Sequence, residues 1–310
     1  CESLRDVIAY PKVQNASEPM TECPAVVDGV QLDFIRYPQF YGGVDAGYDD
    51  ATIALFKEKT GLGENVVREI GQQLTSHPKW NVWHNFKTEL INSWVKDAYG
   101  LVRETCPELY VTAAVAYSGL IEYCQNSADW LEGGYIDGVY VMSYVEEINE
   151  QTVTFHLNNR TDKSYFVMGC GAYLSISNKS LIEQTDNSDV YGADGTGYFE
   201  WGAVKSHGYT DLLKNHLFKN DAIPFTSNVN AVVDRLVATA KERMALYCAS
   251  ADSTKAARLE AIMASLPDKN ADKDAITTAI NSVSAEISGS EAKYLVADLS
   301  SAIRALNMAR

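Results

Sequence analysis

Asp33 and Arg36 stand three residues apart, at the point where the apolar run 26–32 turns abruptly polar and continues into Tyr37-Pro38. A carboxylate beside a guanidinium is held in its ionised form, which suits a nucleophile or a general base. Cleavage of a glycosidic bond needs two carboxyl groups, about 5–5.5 Å apart for retention and about 6.5–9.5 Å apart for inversion. Glu146 and Glu200 offer the second group, because each directly follows an apolar stretch, and Glu122 is a further loop acid. The same residues also suit an ordinary Asp–Arg pair closing a loop, together with solvated acids. Aromatic side chains recur at the same kind of position: Tyr37, Tyr41, Tyr117, Tyr144, Tyr173 and Trp201. Flat rings that combine apolar faces with polar edges are what a saccharide site uses. Arg36, Tyr37, Tyr117, Tyr144, Tyr173 and Trp201 are accordingly the expected substrate-binding residues.

Other chemistries lack their residues. The five histidines show no zinc-protease spacing, and no G-x-S-x-G elbow or nucleotide-binding glycine loop occurs. No C-x-x-C pair occurs either, so neither a metal nor a cofactor is expected.

The elements that must position these side chains read as strands alternating with helices, the pattern of a parallel sheet. Strands are expected over about 26–33, 109–115, 136–142, 165–170 and 195–199. Helices are expected near 4–9, 50–59, 64–75, 83–105, 123–132, 149–158, 180–191 and 212–217. Trp83, Trp94 and Trp130 fall on helices and read as core. In a barrel of parallel strands the chemistry sits at the carboxyl ends of the strands, where Asp33, Tyr117, Tyr144, Glu146, Tyr173, Glu200 and Trp201 fall.

The stretch VDGVQLDFIRYP resembles the D-G-[IV]-x-L-D-[FY]-[IV]-R-[YF]-P signature of the glycosyl-hydrolase-like family-10 group, glycoside hydrolases with a TIM-type barrel. Tyr48-Asp49-Asp50, Ala54 to Lys57 and Thr60-Gly61 resemble the segment that follows it. Trp83-His84-Asn85-Phe86-Lys87 resembles a W-x-x-W/F-R motif, with Lys87 in place of arginine. Trp130-Leu131 and Ile136 to Val139 resemble the approach to a later strand. The resemblance spans roughly residues 26–225. It implies an α/β fold, a (β/α)8 barrel to which this chain supplies about five β/α units, and a glycan as substrate. In that family the signature strand is the fourth, so the remaining units would come from a precursor segment or a second chain. An open five-stranded sheet is the alternative. Hydrolysis of an extracellular glycan is one implied activity; a non-catalytic glycan-binding or structural module is the other.

The chain of 310 residues is 46% hydrophobic and 22% charged, with a formal net charge of −15. So acidic a chain offers no basic footprint for nucleic acid, and no run is long and apolar enough to span a membrane. Six cysteines (1, 23, 106, 124, 170 and 248) and three sequons, at Asn15, Asn159 and Asn178, point to an extracellular or cell-surface protein with one or two disulfides. Cys170, within an apolar strand, reads as a buried thiol. The opening Cys-Glu-Ser-Leu-Arg shows no signal peptide, so the expectation is that any targeting segment has been removed or lies outside this sequence.

From residue 226 onward the composition shifts to Ala, Ser, Lys and Asp at helical spacing. Residues 1–225 therefore read as the barrel portion and 226–310 as a separate helical bundle, with helices over 229–249, 253–266, 272–287 and 290–308.

Overall fold

A computed structural model describes residues 27–38, 45–117, 123–148, 150–218, 223 and 228–308. The early helix near residues 4–9, Tyr41, Glu122 and the Asn15 sequon lie outside these residues.

Five strands follow one another in the sheet order β1-β2-β3-β4-β5: β1 Gly29–Leu32, β2 Tyr110–Ala116, β3 Gly138–Ser143, β4 Tyr165–Cys170 and β5 Gly195–Tyr198. The pairing is parallel, with Gly29 opposite Tyr110 and Val167 opposite Gly195. Twelve α-helices accompany them among the described residues: α1 Asp50–Thr60, α2 Glu64–Gln73, α3 Trp80–Thr105, α4 Ser127–Glu132, α5 Glu150–Asn159, α6 Asn178–Val190, α7 Trp201–Ser206, α8 Tyr209–Leu212, α9 Val229–Cys248, α10 Ser253–Ala264, α11 Lys273–Glu286 and α12 Gly289–Met308. The α/β class and the parallel sheet of five strands therefore agree with the sequence. No described helix is long and apolar enough to cross a membrane.

Two compact units divide the chain: residues up to Val141 with Asn158–Arg160, and Met142–Leu157 with Thr161–Arg310. The first unit is built on long helix α3. Its Trp83 and Phe86 join Phe56, Val67 and Ile70 in one buried cluster. Trp94 is 39% exposed, contrary to its reading as core. Val95, Ala98, Leu101 and Val102 form the buried stripe of α3, and Trp94 is rotated off it by the helical step of about 100°.

In the second unit, helices α9 to α12 share an apolar core through Val237, Met244, Leu259, Ile276, Val283 and Leu299. The first three of them start on a capping side chain: Asn228, Asp252 and Asp272 each accept from backbone N–H groups in the first turn.

Each unit uses the same device to set a strand. Asp137, just ahead of β3, accepts from Val111 N at 2.6 Å and pairs with Arg103 at 3.3 Å. Asp194, just ahead of β5, accepts from Phe166 N at 2.8 Å and pairs with Arg304 of α12. Arg304 also donates to Ser164 O at 2.9 Å. A buried carboxylate with both a backbone donor and a guanidinium is fully satisfied.

Of the six cysteines, Cys124, Cys170 and Cys248 are free and buried, as read for Cys170. Burial pushes the Cys124 thiol up to about 11 and the Cys170 thiol up to about 12. Cys106 is buried and is not one of the free thiols. Asn159 ends α5 and Asn178 opens α6 at an exposed position.

Candidate functional site

The residues singled out in the sequence fall in both units. In the first, Asp33 directly follows β1 and is exposed, and its carboxylate accepts from Phe34 N at 2.7 Å. Phe34 has φ of 52° and is 76% exposed. Among the described residues Asp33 and Arg36 form no ion pair. The Arg36 guanidinium instead lies 4.8 Å from the Tyr123 ring centroid and 5.4 Å from that of Phe34. Planar guanidinium over an aromatic face is a favourable cation–π arrangement. The loop after β1 is held by two further groups: Tyr37 N donates to Tyr123 O at 2.8 Å, and Gln125 Nε2 to Ile35 O at 3.3 Å. Gln125 is itself buried and accepts from Ala116 N at 2.8 Å.

Lys87, which stands in place of the arginine of the resemblance, is a second anchor. Its side chain is only 1% exposed, and Nζ reaches Asp45 Oδ1 at 2.6 Å and Ala46 O at 3.2 Å. The ammonium also lies 4.9 Å from the Tyr37 ring and 5.6 Å from that of Trp83. Asp45 accepts in addition from Tyr48 and Trp83. These hydrogen bonds and the Lys87 charge outweigh burial and hold the Asp45 carboxyl below its ordinary range. The Tyr37 hydroxyl is pushed up by burial and by neighbouring negative charge. Gly47 has φ of +97°, and a Cβ there would stand 3.0 Å from the Tyr37 ring and 3.2 Å from Lys87, so only glycine fits this turn without strain. Tyr117 follows β2 and is 43% exposed.

In the second unit, three strand ends carry an aromatic cluster. Tyr144 follows β3, Tyr173 follows β4 and Phe199 follows β5. The Tyr144 and Phe199 rings stack with centroids 5.3 Å apart. Tyr173 meets both edge-on, at 5.4 Å and 5.8 Å. Backbone bonds fix two of the three: Phe199 N donates to Cys170 O and Tyr173 N to Phe199 O, each at 3.0 Å. Gly171 lets the chain pass close, since a Cβ there would lie 3.1 Å from Tyr144 Cα. Tyr173, Phe199 and, two residues beyond it, Trp201 remain 44%, 51% and 61% exposed. Lys205 lies 5.8 Å from the Trp201 ring.

Glu146 and Glu200 are both exposed in this unit. The Phe199–Glu200 peptide is cis. The Glu200 carboxylate caps α7, accepting from Ala203 N at 2.8 Å and Gly202 N at 3.0 Å. Glu146 lies in the loop after β3, which the buried Gln184 of α6 clamps by donating to Val145 O and Glu146 O, both at 2.8 Å. Asp33 belongs to the first unit, and Glu146 and Glu200 to the second. Among the described residues no group of three or more His, Cys, Asp or Glu side chains could hold a metal ion.

Gln125, Asp45, Gln184 and Phe199 are the position-setting residues that sequence reasoning missed, and Lys87 was singled out there only as a motif position, not as an anchor. Phe199, adjacent to Glu200 and Trp201, had the signal of the other strand-end aromatics. An isolated Gln or Asp carries no such mark.

No protein-family model matches the chain, and no solved structure matches it. Two curated proteins share short stretches with it. An aspartate–tRNA ligase of Clostridium tetani is 69% identical over 32 residues, 10% of this chain and 5% of that protein. An aspartate–tRNA ligase of Ruminiclostridium cellulolyticum is 64% identical over 31 residues, again 10% of this chain and 5% of that protein. The chain thus spans about one twentieth of the length of the curated relatives it matches, and such stretches show no family.

Proposed function

We propose that this protein binds carbohydrate, and that the face formed by Tyr144, Tyr173, Phe199 and Trp201 is its sugar platform. The observation that carries this reading is the exposure of Tyr173 and Phe199, two strand-end rings that close on Tyr144 and whose backbones are joined by a hydrogen bond, with exposed Trp201 two residues on. A rigid aromatic face with few degrees of freedom binds the flat side of a pyranose at low entropic cost. Tyr144 and Tyr173 add hydroxyls for ring-edge hydrogen bonds, and Glu146 and Lys205 add polar groups nearby in sequence. The proposal extends to relationship with the glycosyl-hydrolase-like family-10 group, to closure of the sheet into a TIM-type barrel by a precursor segment or second chain, and to an extracellular, disulfide-bonded and glycosylated protein.

Hydrolysis is the second reading. What favours it is Asp33, an exposed carboxylate one residue past β1, with Glu146 or Glu200 as the partner acid. Glu200 already serves as a helix cap, which favours binding over hydrolysis for that side chain.

The test is affinity electrophoresis through soluble xylan, mannan, β-glucan and chitin oligomers, with reducing-end release measured in parallel. Retardation by one of them, abolished in the Tyr173→Ala/Trp201→Ala double variant, is the expected outcome. Retardation that survives the double substitution would remove the platform from the argument. Release of reducing ends that stops in Asp33→Asn would establish hydrolysis; release unchanged in that variant would exclude Asp33 as its carboxylate.

A further inference from the structure

At the opposite end of β5 from Trp201, the second unit contains a cavity of about 420 Å³, within the range of small-molecule pockets. Val232 and Leu236 of α9, Ala305 and Met308 of α12, Phe218 and Ile223 form its apolar wall. Asp189 and Thr185 of α6, Thr196 of β5, Ser301 of α12 and Arg235 of α9 supply its polar groups. We infer that this cavity is a binding site for a small organic ammonium ion with an apolar body, its nitrogen on the Asp189 carboxylate.

The charge balance around the cavity favours a cation. Four carboxylates gather there: Asp194 lines the cavity beside Asp189, and Asp186 and Asp298 lie within electrostatic reach of Asp189. Three guanidinium groups face them. Arg304 is committed to Asp194, and Arg243 to Asp298 at 2.7 Å. Arg235 lines the cavity from an exposed position on α9. Asp189 is left with the field of Arg243 and the Ser301 hydroxyl. Burial, opposed by Arg243, pushes the Asp189 carboxyl up to about 6 and Asp298 up to about 7; of the two, Asp298 has its guanidinium in contact, whereas Asp189 has no positive charge in contact among the described residues. An entering ammonium supplies that charge, while its hydrocarbon part takes the place of water against Val232, Leu236 and Met308. An anion would meet the same carboxylates as repulsion. This inference is independent of the carbohydrate reading, which concerns the other end of the strand.

Isothermal calorimetry and thermal unfolding of the full chain with hexylammonium, hexanol and hexanoate test it. Hexylammonium is expected to bind saturably and raise the melting temperature, about tenfold more tightly than hexanol, the worth of one charge-assisted contact. Hexanoate is expected to give no saturable heat. Asp189→Asn should bring hexylammonium and hexanol to equal affinity, and Val232→Trp should abolish both. Leu236→Phe fills the same space by a smaller step and replaces Val232→Trp if that chain does not fold. Equal binding of hexylammonium and hexanol to the native chain overturns the inference. So does a preference for hexylammonium retained in Asp189→Asn, or binding unchanged by the filling substitution.

Discussion

Lys87 holds Asp45 at 2.6 Å while its ammonium sits 4.9 Å from the ring of Tyr37. One buried cation on α3 thus fixes both the acid of one loop segment and the aromatic of another. The Lys87 side chain is 1% exposed and Asp45 10%, so removing either member strands the other away from water. We expect Lys87→Met to lower stability by about 3 kcal/mol and the Lys87→Met/Asp45→Asn pair to cost less than the sum of the single changes. A double-mutant cycle on urea midpoints checks this; strict additivity would show that the two side chains do not depend on each other.

The acids at the α6–α9–α12 junction set a pH dependence. Asp189 and Asp298 are raised by burial to about 6 and about 7, above their ordinary value of about 4 in an unfolded chain. Between about pH 4 and pH 7 the folded chain therefore binds more protons than the unfolded one, and stability from these groups falls as pH rises through that window. Asp45, held below its ordinary range, acts oppositely: its contribution is present above about pH 4 and is lost on acidification. Asp189→Asn, which breaks no ion pair, should consequently gain stability relative to the native chain at about pH 8, on the order of 2 kcal/mol, and gain little at about pH 4. Urea midpoints at the two pH values decide the matter, and an identical difference at both would refute the assignment.

Glu200 separates capping from chemistry. Its carboxylate takes two backbone N–H groups of α7, so Glu200→Ala should cost about 1 kcal/mol and Glu200→Ser, another capping residue, less than half of that. Polysaccharide retardation should survive in both. If Glu200→Ser unfolds at the native midpoint yet loses all glycan binding, the side chain contacts sugar as well as capping the helix.

Gly171→Ala probes the platform without touching an aromatic side chain. The added methyl would lie 2.9 Å from Leu174 Cδ1 and 3.1 Å from Tyr144 Cα, distances that force a shift. The expected result is glycan affinity reduced several-fold with little change in helical circular dichroism, because the cluster geometry moves while the helices do not. Unaltered affinity would mean that the Tyr144 position is immaterial to binding.

Strand and helix order was readable because the apolar runs of β2, β3 and β4 and the helical spacing of apolar residues are local signals. Asp33, Tyr117, Tyr173 and Trp201 were recognisable as exposed strand-end groups for the same reason. What local pattern did not carry was the partner of each polar side chain. Arg36 was read as a partner for Asp33, yet the rings of Tyr123 and Phe34 lie under its guanidinium, and Tyr123 is remote in sequence. Lys87 and Asp45 meet across forty-two positions, Gln184 and Val145 across thirty-nine. One signal did go unread: Asp-Gly precedes or opens β1, β3 and β5 alike, and at Asp137 and Asp194 it marks the carboxylate that ties one strand start to its neighbour.

Gln184, Thr185 and Asp189 all belong to α6, a rod of thirteen residues and so about 20 Å long. Near its middle Gln184 grips the loop of Tyr144 and Glu146, and Thr185 meets the Tyr198 hydroxyl at 2.6 Å. Its far end abuts α9 and α12 through Asp189. A helix that stiff works as a lever arm: substitutions that tilt the C-terminal helices would be felt as a displaced loop beside the aromatic face, with no sequence change anywhere near it.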